Sequence, residues 1–184
     1  MFYLQMNELL AENFAHLRQL SKNINARLNS DTVADRVIRN ELAGMFAVTV
    51  VATYEGIVKA TLMDYASKVH PKYFKYVERD FQKSNAKISG DDLKAHSIRF
   101  GLSAWEHPDA PKNATTYHRI IAELRPVVER RFRKDMMGSY TSLFQWRNAY
   151  AHERSTTATL LDVYESHRVA QYVVVSFVKA FEEG

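Results

Sequence analysis

Residues 42–63, LAGMFAVTVVATYEGIVKATLM, admit three readings: a strand built on VTVVAT, a membrane span, or a buried helix. The β-branched run favours a strand locally. The apolar positions nevertheless recur at helical spacing well beyond strand length, through Val33, Val37, Ala43, Phe46, Val50, Tyr54, Ile57, Val58, Leu62 and Tyr65. A sustained period outweighs a short run of propensity. Glu55 and Lys59 interrupt the stretch, so no apolar run reaches the ~18 residues of a membrane span. The stretch therefore reads as the core of a long helix, and the fold as all-α.

The same period extends outward on both sides. Upstream, Met6, Leu10, Phe14, Leu17, Leu20, Ile24 and Leu28 mark a helix over about 4–28, and Ser30 or Asp31 can cap the long helix that follows. Downstream, His70-Pro71 breaks the long helix, and Tyr73, Phe74, Val77 and Phe81 give a shorter one. A further helix begins near Ser89 to Asp92. The two prolines of HPDAPKN, residues 107–113, preclude a continuous helix there. Thr115 or Thr116 caps the next helix, which Gly138 is expected to close, with Ser139 opening SYTSLFQWRNAYAHE. A last helix is expected over about 157–181, with a stripe of Leu160, Tyr164, Val174, Phe177, Val178 and Phe181. With 4 prolines, 6 glycines and no linker or repeat, the chain reads as a single-domain bundle of five to seven helices over residues 1–184.

The absence of cysteine excludes disulfides, cysteine zinc sites and thiol nucleophiles. The seven histidines form no paired metal spacing, so no metal or other cofactor is assigned. The opening MFYLQMNELLAENF lacks the basic region, apolar core and cleavage site of a secretory signal, which makes a cytoplasmic protein the expectation and gives no reason to invoke a membrane. A net charge of +4 eases contact with a polyanion without demonstrating it.

Chemistry concentrates in QWRNAYAHER, residues 145–154. Arg147 and His152 are separated by four residues near a helix end, with Asn148 beside the arginine. Histidine can move a proton near neutral pH, and arginine's charged fork can hold a phosphate. At about 100° per residue the two side chains of one regular helix point ~140° apart, whereas Asn148 and His152 share a face. Either the helix loosens before His152, or the arginine of one subunit complements the histidine of another across a two-fold axis.

RNAYAH resembles the R-x4-6-H signature of the HEPN superfamily, and ATYEGIVKATLMDYASK, residues 52–68, is similar to the second helix of its RiboL-PSP-type branch, with Glu55 at the acidic position. That resemblance implies a helical bundle, homodimers that juxtapose two motifs, and metal-independent endoribonuclease activity in a prokaryotic toxin or phage-defence setting. It also implies catalytic roles for Arg147 and His152, an orienting role for Asn148 and a supporting one for Glu55. Attack by a ribose 2′-hydroxyl would leave 2′,3′-cyclic phosphate and 5′-hydroxyl ends. Arg154 stands where toxins paired with nucleotidyltransferases carry a tyrosine, so control by modification of that tyrosine is not expected here. An antitoxin or defence partner protein is a further expectation. Arg154 and the cluster Arg130, Arg131, Arg133 and Lys134 are candidate contacts to the RNA backbone. The residues alone leave open two plainer readings: a non-catalytic, partner-binding helical module, and a nucleic-acid-binding protein that uses the Arg130 to Lys134 face. Glu55 and Lys59, four apart, also read simply as an intrahelical ion pair, and Trp105 and Trp146 as core residues.

Overall fold

The structure, a computed structural model, describes residues 8–27, 33–83 and 88–184. They form seven α-helices: α1 (Glu8–Arg27), α2 (Val33–Val69), α3 (Pro71–Lys83), α4 (Gly90–Arg99), α5 (Thr116–Phe132), α6 (Met136–Glu153) and α7 (Leu160–Glu183). The expected Ser30 or Asp31 cap, and the outer limits placed near 4 and 28, lie outside the described residues. The long helix expected from the apolar period is α2, continuous over 37 residues. It is the one described helix long and apolar enough to cross a membrane. Its Phe46, Val50, Tyr54, Ile57 and Leu62 are nevertheless at most 2% exposed, packed against protein.

Several boundaries follow from local chemistry. Pro71 opens α3, where its missing N–H costs nothing. Ser89 and Asp92 close a reciprocal capping box on α4, and Thr159 and Asp162 do the same for α7, through bonds of 2.9 and 3.1 Å. Thr115 caps α5, with His118 Nδ1 accepting from the Thr115 N–H at 3.0 Å in the place where a carboxylate usually serves. Burial and the nearby Lys94 both lower the His118 pKa, which keeps that nitrogen free to accept.

The junction between α5 and α6 differs from expectation. α5 ends at Phe132, with Arg133 in the left-handed conformation (φ 51°, ψ 40°), and Gly138 lies inside α6. Charge stabilises this turn. Glu129 Oε1 accepts from the Met136 N–H at 3.0 Å, and Arg125 bridges Glu129 at 2.8 Å and Asp135 at 2.9 Å. Arg133 thus takes the left-handed position that a glycine would otherwise fill, while these bonds hold the residues on either side of it. Pro126 lies within α5, and the helix continues through it.

The chain divides into two units. The first combines α1, α2 up to Thr53, α6 from Met137 and α7 up to Gln171. Leu10, Phe14, Leu17, Phe46, Val50, Leu143 and Val163 are among its buried residues. The second takes the rest of α2, then α3, α4, α5 and the end of α7. Here an aromatic cluster packs Phe181 against Phe177, Tyr65 and Phe100 at centroid distances of 4.7, 5.2 and 5.8 Å. The Tyr65 and Phe100 pairs are edge-to-face and the Phe177 pair is tilted, geometries that at these separations add to the area term. The two tryptophans depart from the core reading: both are half-buried, and Trp105 stacks on His107 at 5.5 Å.

Candidate functional site

The motif occupies the C-terminal end of α6, in the first unit. α6 remains helical through His152 to Glu153, with no loosening before the histidine. It stops just afterwards, where Arg154 adopts φ +50° and its N–H still bonds the Tyr150 carbonyl at 2.9 Å. His152 therefore stands on the last turn of an unbroken helix, exposed to solvent. Asn148 is exposed as well, one turn earlier, and Arg147 is half-buried. An Arg147 Nη1 donates to Asn148 Oδ1 at 2.9 Å, so the two are brought together directly. On a regular helix, Arg147 and His152 face away from each other by ~140°.

This helix end is seated on α2 by contacts within the same unit. Tyr150, two residues before His152, donates its hydroxyl hydrogen to Glu41 Oε2 at 3.0 Å. That bond is the main reason its pKa is raised, with desolvation second, while Arg154 pulls the other way. The ring lies over Gly44, where a Cβ would come within 2.1 Å of Tyr150 Cδ2. Only a glycine admits the ring at that depth. Sequence reasoning missed Glu41, Gly44 and Tyr150. The one signal was a glycine inside a strongly apolar helix, and it does not single out Gly44, since Gly56 in the same helix has nothing near it.

The model of the RiboL-PSP-HEPN family matches residues 8–183, nearly the whole chain. The chain belongs to the RiboL-PSP-HEPN family. No curated protein and no solved structure matches it.

The other candidate residues of this HEPN chain are placed as follows. Glu55 is half-buried on α2 and belongs to the second unit, where the neighbouring Lys59 donates to the Phe81 carbonyl at 3.4 Å. Arg130, Arg131, Arg133 and Lys134 also belong to that unit, at the end of α5 and the turn after it. Arg130, Arg131 and Arg133 are exposed, and Lys134 is half-buried. Arg131 lies over the Phe132 ring at 5.5 Å, a cation–π contact that occupies one face of its guanidinium. Arg154 is exposed in the first unit, two residues beyond His152.

Proposed function

We propose that the protein is a metal-independent endoribonuclease whose active site is built on the end of α6. His152 transfers the proton between the ribose 2′-hydroxyl and the leaving oxygen, Arg147 holds the scissile phosphate and offsets its developing charge, and Asn148 fixes the arginine fork. The observation that carries this reading is the presentation of the family motif: an exposed histidine on the last helical turn, with the arginine already bonded to its neighbouring asparagine. The 2′-oxygen attacks phosphorus as the 5′-oxygen leaves with a proton, giving a 2′,3′-cyclic phosphate and a 5′-hydroxyl. Glu55 has a supporting role in this proposal. Arg154 and the Arg130 to Lys134 cluster contribute non-specific backbone attraction.

Because one unbroken helix does not aim Arg147 and His152 at a single point, the proposal makes the site composite, with the arginine of one protomer completing the histidine of a second. Val37, Ile38 and Met45, exposed at 59, 46 and 53% in the first-unit part of α2, support a protein-covered surface on the unit that carries the motif. A cytoplasmic toxin or defence effector, with activity restrained by a partner protein, fits a nuclease of this kind.

Wild type and His152→Ala are to be incubated with total cellular RNA in EDTA, and the product ends analysed. The reading expects cyclic phosphate ends from the wild type alone. Equal cleavage by both removes His152 from the chemistry. Intact RNA with both favours the alternative, a non-catalytic helical module that uses the exposed apolar part of α2 to bind a partner.

A further inference from the structure

At the N-terminal end of α2 the face that elsewhere builds the core changes character. Arg36, Arg39 and Asn40 precede the buried Ala43 and Ala47 by one to three helical turns, on the same side of the helix. Carried back from the buried Ala43, Phe46, Ala47 and Val50, that face would be apolar at these positions, whereas the apolar Val37 points elsewhere and is 59% exposed. Arg36, Arg39 and Asn40 line instead a hollow of about 490 Å³, together with Asn25 near the end of α1 and Thr159, Leu160 and Leu161 at the start of α7. On α1 too, Asn25 continues a core face, four residues after the buried Ser21. A local rule broken on two helices around one hollow marks a place that is functional or strained. The volume falls within the range that holds a small ligand.

The lining has a definite chemistry. Arg36 is exposed and makes no ion pair with any described residue, so its fork is available to a phosphate. Asn25 and Asn40 both offer a donor and an acceptor in exposed positions. Leu161, 63% exposed, gives an apolar surface against which a base can lie. The nearby acid of α7 is already engaged: Asp162 Oδ2 accepts from the Thr159 N–H and hydroxyl at 2.9 and 2.7 Å. The hollow lies in the same unit as the motif, and Asn40 and Thr159 of its lining are close in the chain to the motif or to its seat on α2. Asn40 precedes Glu41, whose carboxylate holds Tyr150 two residues before His152, and Thr159 follows Arg154 by five residues.

We infer that this hollow is a nucleotide subsite for single-stranded RNA, taking one residue of the chain beside the scissile bond, with Arg36 on its phosphate and Asn25 and Asn40 on its base or ribose. The inference rests on the ribonuclease reading for its ligand, and binding tests it separately from cleavage. A fluorescent oligouridine is titrated in EDTA with the His152→Ala protein, at several salt concentrations. Arg36→Ala in that background should weaken binding about five- to tenfold at low salt and lower the salt slope by about one, as for one lost phosphate contact. Lys75→Ala, the same charge change on α3, should leave both nearly unaltered. Photocrosslinking with a 4-thiouridine oligonucleotide should mark peptides holding residues 36–40 or 159–161.

Unchanged affinity and slope in both Arg36→Ala and Asn40→Ala, crosslinks confined to other segments, or no RNA binding by the parent overturns the subsite. Cleavage by the wild type then decides the other question independently. RNA cut as before by Arg36→Ala and Asn40→Ala leaves the nuclease reading standing without the subsite, and RNA bound through Arg36 but never cut leaves the subsite without the nuclease.

Discussion

His167 is 3% exposed on α7, with Phe14 packed edge-on at 5.6 Å and Tyr164 at 6.5 Å. Burial, and secondarily the positive charge of Arg18, push its pKa down to about 4. The neutral ring is therefore the form the fold accepts, whereas in the unfolded chain it protonates near its ordinary 6.5. The unfolded state binds the extra proton between these values, so the stabilising contribution is present above about pH 6.5 and is lost as the pH falls toward 4. Urea melts should accordingly lose about 2 kcal/mol between pH 7 and pH 5 from this group. His167→Phe should lack that part of the loss, and an equal loss in both proteins would show that the charge is accommodated. The sequence displays this histidine no differently from the exposed His16 or His107. Only the packing of Phe14 against it, 153 residues away in the chain, separates a buried neutral ring from a surface one.

At the level of elements, the position of the motif depends on how α6 meets α2. Gly44→Ala would set a methyl carbon inside the Tyr150 ring, 2.4 Å from Cγ, and an aromatic ring cannot yield as a flexible chain end does. The ring must leave its seat, giving up the Glu41 bond and tilting the turn that carries His152. A loss of about 1–3 kcal/mol is expected from such overpacking, together with a fall in cleavage, although neither residue faces RNA in the proposed mechanism. Tyr150→Phe, which removes the hydroxyl and keeps the ring seated, should cost far less in both readouts. Wild-type melting and cleavage in Gly44→Ala would refute the idea that this seat holds the helix end. The elements themselves were legible wherever chemistry is local: the apolar period of α2, Pro71 at the start of α3, the Ser89 and Thr115 caps. The end of α5 was not, because Arg133 is no turn former by itself, and the ion pairs that fix it join Arg125, Glu129 and Asp135 across the junction.

For the whole molecule, the family and the all-helical fold could be read from RNAYAH and the second-helix stretch, since both lie within single helices. The hollow was not readable, because it gathers side chains from α1, α2 and α7, and no short window contains them. The orientation of the motif lies between these cases. The sequence left two ways for Arg147 and His152 to act together, and with α6 unbroken through His152 the proposed function takes the one that needs a second copy. The composite site then makes a quantitative demand. In a two-fold dimer each site takes its arginine from one chain and its histidine from the other. Arg147→Ala and His152→Ala homodimers are both dead in this arrangement. A mixed dimer has one site in which both defects coincide and one in which both functional side chains are intact. After random exchange of equal amounts, half the dimers are mixed and half their sites work, so about one quarter of wild-type cleavage should return. The measurement is RNA cleavage in EDTA before and after co-refolding the two variants, with subunit exchange followed by tagged protomers. Recovery near one quarter places Arg147 and His152 in trans, whereas exchange without any recovery means that both act within one chain and that α6 must rearrange when RNA binds.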